Sequence, residues 1–184
     1  MQHAVKVEVP GWRSVASQLQ KTFDLNLSFL QSIPGAFKIA HTVLGMICVI
    51  LIALYSQFFH PLTGSSLGLL CSKSAAYFLL VSSGFFVTSL LIVVCSLLSY
   101  FTASFLPKTA FELTYHVVAC ILYLSSSLTL MITVINDNKV YNELLFGKQP
   151  GYEGQIAASA LGLLNSILYG VSTYFSFQAR RQMG

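Results

Sequence analysis

A helix that crosses a bilayer needs about 20 consecutive, mostly apolar residues. This sequence supplies four such runs, at about 36–58, 76–99, 113–135 and 156–177, and the last three contain no Asp, Glu, Lys or Arg. In hydrocarbon every backbone N–H and C=O must be satisfied within the protein, so only helices and closed barrels can span. A barrel would show ten-residue segments of alternating polarity, and none is seen. The expected fold class is therefore all-α, a polytopic membrane protein built as a bundle of four transmembrane helices. Composition agrees: 55% of the 184 residues are hydrophobic and 9% are charged, whereas a soluble domain carries about 25% charged residues.

Proline punctuates the runs. Pro10, Pro34, Pro61, Pro107 and Pro150 all fall outside the four spans, as expected for a residue that disrupts helix interiors. The uncharged stretch between Lys73 and Lys108 exceeds one span but cannot hold two with a turn. Its excess, about 100–106, carries Tyr100, Phe101 and Phe105 and suits the aromatic belt at a membrane interface. Residues 137–154 read as a long, mixed-charge, solvated loop. The chain divides into an N-terminal segment (1–34), a four-span domain (35–181) and a short tail (182–184). Residues 1–34 lack the continuous apolar core of a cleavable signal peptide, so the first run reads as a retained signal anchor.

Lys and Arg near span ends set orientation. With the N-terminus in the cytosol, Lys6, Arg13, Lys21, Lys38, Lys108, Arg180 and Arg181 lie inside, against Lys73, Lys139 and Lys148 outside. Both termini are expected to be cytosolic, which leaves the sequon Asn26-Leu27-Ser28 unmodified. The net charge of +4 is spread out, with no basic run to track phosphates, so no nucleic-acid partner is expected.

Trp12, Val15, Leu19, Phe23, Leu27 and Leu30 recur every three or four residues. That is one face of a helix, and it predicts an amphipathic membrane-surface helix on the cytosolic leaflet. In the fourth span Ala158, Gly162, Ser166 and Gly170 form a small-residue stripe at four-residue spacing, the pattern that lets helix backbones approach. Its expected partner is another span of the same chain; the sharper alternative is homo-oligomerisation or a span of another membrane protein. Lys38 and His41 open the first span, and Glu112 and His116 open the third. A Lys38–Glu112 interfacial pair would fix the register of two spans, and snorkelling to water is the alternative. Asn165 and the Ser125–Ser127 run suit hydrogen bonds between helices.

Chemistry has little to work with. No nucleophile–base set, paired loop carboxylates or metal-ligand spacing is present. Cys48, Cys71, Cys95 and Cys120 form no C-x-x-C pair. The sequence calls for no catalytic residue, no cofactor and no metal.

The stretch Phe29-Leu30-Gln31-Ser32-Ile33-Pro34-Gly35, followed by Val43-Leu44-Gly45, resembles the opening of the MARVEL domain. Leu122-Tyr123-Leu124-Ser125 fits the same group. The fourth-span stretch Ala157-Ala158-Ser159, then Tyr169-Gly170-Val171-Ser172-Thr173-Tyr174-Phe175-Ser176-Phe177-Gln178-Ala179-Arg180, is similar to the last span of the plasmolipin-type and chemokine-like-factor-type members. The resemblance covers about residues 29–181. It departs at His41, where an acidic residue is common. It implies a non-catalytic role in membrane organisation through lipids and other membrane proteins: vesicle trafficking, membrane apposition or membrane fusion. A cell-junction or adhesion component is the alternative, and a small channel or transporter a third reading.

Overall fold

The computed structural model describes residues 32–56, 72–106, 109–145 and 147–181. The expected membrane-surface helix (Trp12, Val15, Leu19, Phe23, Leu27, Leu30), the Asn26 sequon and Cys71 lie outside the described residues. Five helices follow in order: α1 (Ile33–Tyr55), α2 (Lys73–Leu98), α3 (Tyr100–Phe105), α4 (Ala110–Leu145) and α5 (Tyr152–Arg181). Four of them, all except α3, are long and apolar enough to cross a membrane. The fold is an all-α bundle of four transmembrane helices.

Local chemistry sets the helix ends. The Ser32 hydroxyl accepts from Gly35 N at 3.1 Å, and Pro34 sits in the first turn, where its missing N–H costs nothing. The Ser72 hydroxyl caps α2 through Ala75 N. At Ser99 the backbone turns extended, and the Ser99 hydroxyl then caps α3 through Thr102 N at 3.2 Å. The aromatic excess after the second span is thus a separate short helix, with Phe101 and Phe105 stacked at 4.9 Å and both exposed. Between α4 and α5, Tyr152 N donates to Gln149 O across Pro150 and Gly151, and Gly151 has φ 79°. Proline second and a positive-φ glycine third define a type II turn.

One sequence boundary needs correction. Residues 137–154 are not one long loop: the helix of the third span continues to Leu145, residues 147–151 make the connection, and α5 begins at Tyr152. Hydropathy falls at Asp137, but no Gly or Pro follows until Gly147. Asn, Asp and Lys weaken a helix only slightly. Polarity marked where the helix leaves apolar surroundings, not where it ends. At 1.5 Å per residue α4 is about 54 Å long, well beyond a hydrocarbon core of about 30 Å.

The helices neighbour one another in the ring α1–α2–α4–α5. So α1 and α4 lie on one diagonal, and α2 and α5 on the other. Buried positions advance by threes and fours, as in Gly35, Lys38, His41, Gly45, Cys48 and Ile52 on α1. On α4 they are Glu112, His116, Ala119, Tyr123, Ser126, Leu130 and Val134, with Ser127 buried beside Ser126. This spacing keeps one face turned to a nearly parallel neighbour. The burial pattern is inverted relative to a soluble bundle. Serines, His, Lys, Glu and Asn are buried, while Leu80, Leu91, Ile121, Ile132 and Ile167 are exposed, as suits a lipid surround.

The α5 stripe faces its own bundle, but unevenly. A Cβ on Gly162 would overlap the Ser127 hydroxyl and come within 2.7 Å of the Phe78 ring; one on Gly170 would meet only Cys120 Sγ at 3.6 Å. A step of four residues turns about 400° at 3.6 residues per turn. The stripe therefore drifts about 40° per step, and Gly170 ends well away from the Ala158 face. Gly154, outside the stripe, lies directly against the Tyr55 ring. We expect Gly162→Ala to lower stability by about 1–3 kcal/mol through overpacking. Gly170→Ala should be close to neutral. Gly84→Ala, which points into open space, should stabilise by up to about 1 kcal/mol through helix propensity. Thermal melting of the three variants in detergent checks the order; equal effects at 162 and 170 would contradict the packing.

Candidate functional site

The end of the bundle where α1 and α4 begin and α5 finishes holds a buried polar cluster. Lys38 enters from α1, five residues past Ile33 and so about 7.5 Å along the helix. Its Nζ donates to Glu112 Oε2 at 3.0 Å, with the two side chains 4% and 3% exposed. His116, one turn along α4, places Nε2 3.6 Å from the other carboxylate oxygen, too long for a good hydrogen bond. None of these groups snorkels; Lys38, His41, Glu112 and His116 are all buried. The pair spans the α1–α4 diagonal, so the charge is satisfied across the bundle's centre.

His41 carries the network deeper. Its Nδ1 lies 3.0 Å from Asn165 Oδ1, and its Nε2 lies 3.0 Å from Ser172 Oγ. Asn165 Oδ1 can only accept, so Nδ1 carries a proton, while the Ser172 hydroxyl can donate to or accept from Nε2. Both ring nitrogens are thus engaged, which fixes the orientation of the imidazole. It stacks on Tyr169 with centroids 3.8 Å apart and planes 7° from parallel. Tyr169 in turn joins a triangle of hydroxyls: Ser89 to Tyr169 at 2.8 Å, Ser89 to Tyr115 at 2.7 Å, and Tyr115 to Tyr169 at 3.2 Å. Ser89 comes from α2 and Tyr169 from α5, so this set closes the other diagonal. Asn165 stands near the midpoint of α5, so polar contacts run from the bundle end to its middle. His116 Nδ1 and Asn165 Nδ2 have no hydrogen-bond partner among the described residues.

Beyond that point the core turns apolar. Cys48, Ile52, Ala75, Phe78, Leu130, Val134 and Ala158 pack as one cluster in the half nearer Tyr55 and Tyr152. Among the described residues no group of three or more His, Cys, Asp or Glu side chains could hold a metal ion. The network is a set of structural ties and proton donors without a nucleophile placed on a base.

Of the residues singled out in the sequence, Lys38 and Glu112 meet each other. Ala158, Gly162 and Ser166 face inward, with the Ser166 hydroxyl donating to Cys120 O at 2.9 Å, and Gly170 is half-buried. Ser125 bonds Tyr77 across to α2 at 2.9 Å. The convergence of His41, Asn165, Tyr169, Ser172 and Ser89 was not read from the sequence. A signal existed: Asn165, Tyr169, Ser172 and Ser176 step by four, three and four, which keeps them on one face, whereas the small-residue stripe drifts off it.

Removing one partner of a buried ion pair leaves the other charge uncompensated, at a cost of about 3–5 kcal/mol. Lys38→Met or Glu112→Leu alone should therefore destabilise strongly. The double variant should recover most of that loss, because an apolar pair of similar volume is often neutral. A double-mutant cycle read by detergent melting decides; additive losses would show that the two groups do not depend on each other.

Comparison with known proteins was made on the whole chain. Plasmolipin from Danio rerio is 29% identical over 164 residues, covering 87% of this chain and 79% of that protein. No solved structure gives a significant match. The profile of MARVEL, the membrane-associating domain, matches residues 29–175. That match takes in all four spans and the whole polar cluster up to Phe175, and the chain belongs to the MARVEL family of multi-pass membrane proteins.

Proposed function

We propose that this chain is a non-catalytic tetraspan organiser of membranes, acting in vesicle trafficking, membrane apposition or membrane fusion, with both termini in the cytosol. The observation that supports this reading is the inverted surface: apolar side chains face outward from all four spans while the polar groups are tied to one another inside. A protein built so offers lipid contact over its flanks and keeps its polar chemistry for its own architecture. The similarity to plasmolipin and the MARVEL membership point the same way. The apolar cluster around Ile52, Phe78 and Leu130 disfavours conduction through the bundle, since an ion would have to cross it unsolvated. The basic set at the α1/α5 end, with Arg180 and Arg181 in the last turn of α5, supports the orientation through the positive-inside bias.

Locating the tagged full-length protein in cells tests the role. Vesicle puncta support trafficking, and a continuous outline of cell borders would instead favour a junction component. Reconstituted liposomes loaded with an ion-sensitive dye should show no flux above protein-free vesicles. For orientation, Asn26 should carry no glycan, while a sequon placed next to Lys148 should be glycosylated; the reverse pattern inverts the topology. The Trp12→Asp, Leu19→Asp double variant should insert normally yet mis-sort, because two charges abolish a membrane-binding face. Normal sorting of that variant would remove the N-terminal segment from the proposal.

A further inference from the structure

A cavity of about 320 Å³ lies at the α1/α5 end of the bundle. That volume is in the range of sites that hold small molecules. Its walls are apolar: Ile33 and Pro34 from α1, then Phe37 and Phe175, whose rings sit 5.7 Å apart. Lys38, Glu112, His116 and Ser176 line its polar side. Ile33 and Phe175 are also exposed, so the cavity opens at the outer surface of the bundle. The sets of groups that form it come from α1, α4 and α5, and none belongs to the stripe that packs the helices.

Two features say what this cavity would take. The first is charge. The Lys38 ammonium and the Glu112 carboxylate stand together and cancel, so the polar side is neutral overall but rich in both donors and acceptors. A phosphate head would set its negative charge beside Glu112. An uncharged hydroxyl is the better complement, since it both donates and accepts. The second is an unused group. Ser176 is only 6% exposed and makes no hydrogen bond among the described residues. Ser82, Ser126 and Ser159 bond a carbonyl of their own helix, whereas Ser176, like the sealed hydroxyls of Ser96 and Ser127, does not. The Ser176 oxygen is not sealed off as those of Ser96 and Ser127 are; it opens on the cavity, where a ligand hydroxyl can reach it. We infer that this cavity binds an uncharged, hydroxyl-headed lipid, its head against Ser176 and the Lys38–Glu112 pair and its chain leaving past Phe37 and Phe175. The inference stands on the cavity alone and holds whether or not the protein organises membranes.

Photolabelling of the full-length chain in phosphatidylcholine vesicles tests it. Diazirine analogues of diacylglycerol, ceramide and phosphatidate are compared at equal mole fraction, and labelled peptides are mapped by mass spectrometry. Diacylglycerol or ceramide should label the segments around Phe37 and Phe175 above all other lipid-facing segments, and excess unlabelled lipid of the same head should compete. Labelling by both shows that the hydroxyl suffices; labelling by ceramide alone shows that its amide is read too. Ser176→Val should lower this labelling about five- to tenfold, the loss of one neutral hydrogen bond, and Ala179→Phe, which fills the cavity's rim, should abolish it. Helix content and melting temperature report whether each variant is folded, and the comparison among lipids on the unsubstituted chain needs no variant at all. Phosphatidate labelling the same segments as strongly would overturn the inference, as would hydroxyl-headed lipids labelling every lipid-facing surface evenly.

Discussion

The Lys38–Glu112 ion pair constrains everything around it. Two charges taken into a bundle within a bilayer can be tolerated only when each is the other's partner and the geometry is close. The pair joins helices that are diagonal, not adjacent, in the ring. It therefore sets the distance across the bundle at that end, and the α2–α5 diagonal must close to match. The Ser89, Tyr115 and Tyr169 hydroxyls make that second closure. Replacing a buried ion pair by apolar groups often costs no stability, so its contribution here is to alignment. A slip of α1 by one turn against α4 would separate the charges and strand both.

Closure at the other end uses shape instead of charge. Gly154 takes the Tyr55 ring against its backbone, and Gly162 takes Ser127 and Phe78. Lipid chains are as apolar as leucine, so no hydrophobic drive brings spans together, and close backbone approach supplies dispersion contacts in its place. The bundle thus has two halves held by different physics. One is a directional polar network, and the other a close-packed apolar cluster.

Much of this architecture was legible in the sequence, for reasons that differ by feature. The spans were readable because hydrocarbon imposes a length and excludes charge, and both leave marks in composition. The end of α4 was misread because the same signal reports where a helix leaves apolar surroundings and is silent on where helical hydrogen bonding ends; Gly147 and the Pro150-Gly151 turn were the better markers. The reach of the polar cluster stayed hidden because His41, Asn165 and Tyr169 lie up to 128 positions apart in the numbering, and only the ring order of helices brings them together. The face occupied by Asn165, Tyr169, Ser172 and Ser176 was available as a period. What the period does not state is which helix it meets. The N-terminal amphipathic segment remains an expectation from periodicity.

The asymmetry between the halves bears on how such a protein can act. A continuous polar file would let protons or ions move, but the network that starts at Lys38 stops near Asn165, and Ile52, Phe78, Leu130 and Val134 follow. The charged groups gather at one end beside the cavity, while the other half buries only small serine hydroxyls, such as Ser127 and Ser159, among its apolar side chains. The buried His41 and His116 rings, 5.9 Å apart, fit this arrangement. His41 bonds Asn165 and Ser172 and stacks on Tyr169, and His116 lies beside the Glu112 carboxylate.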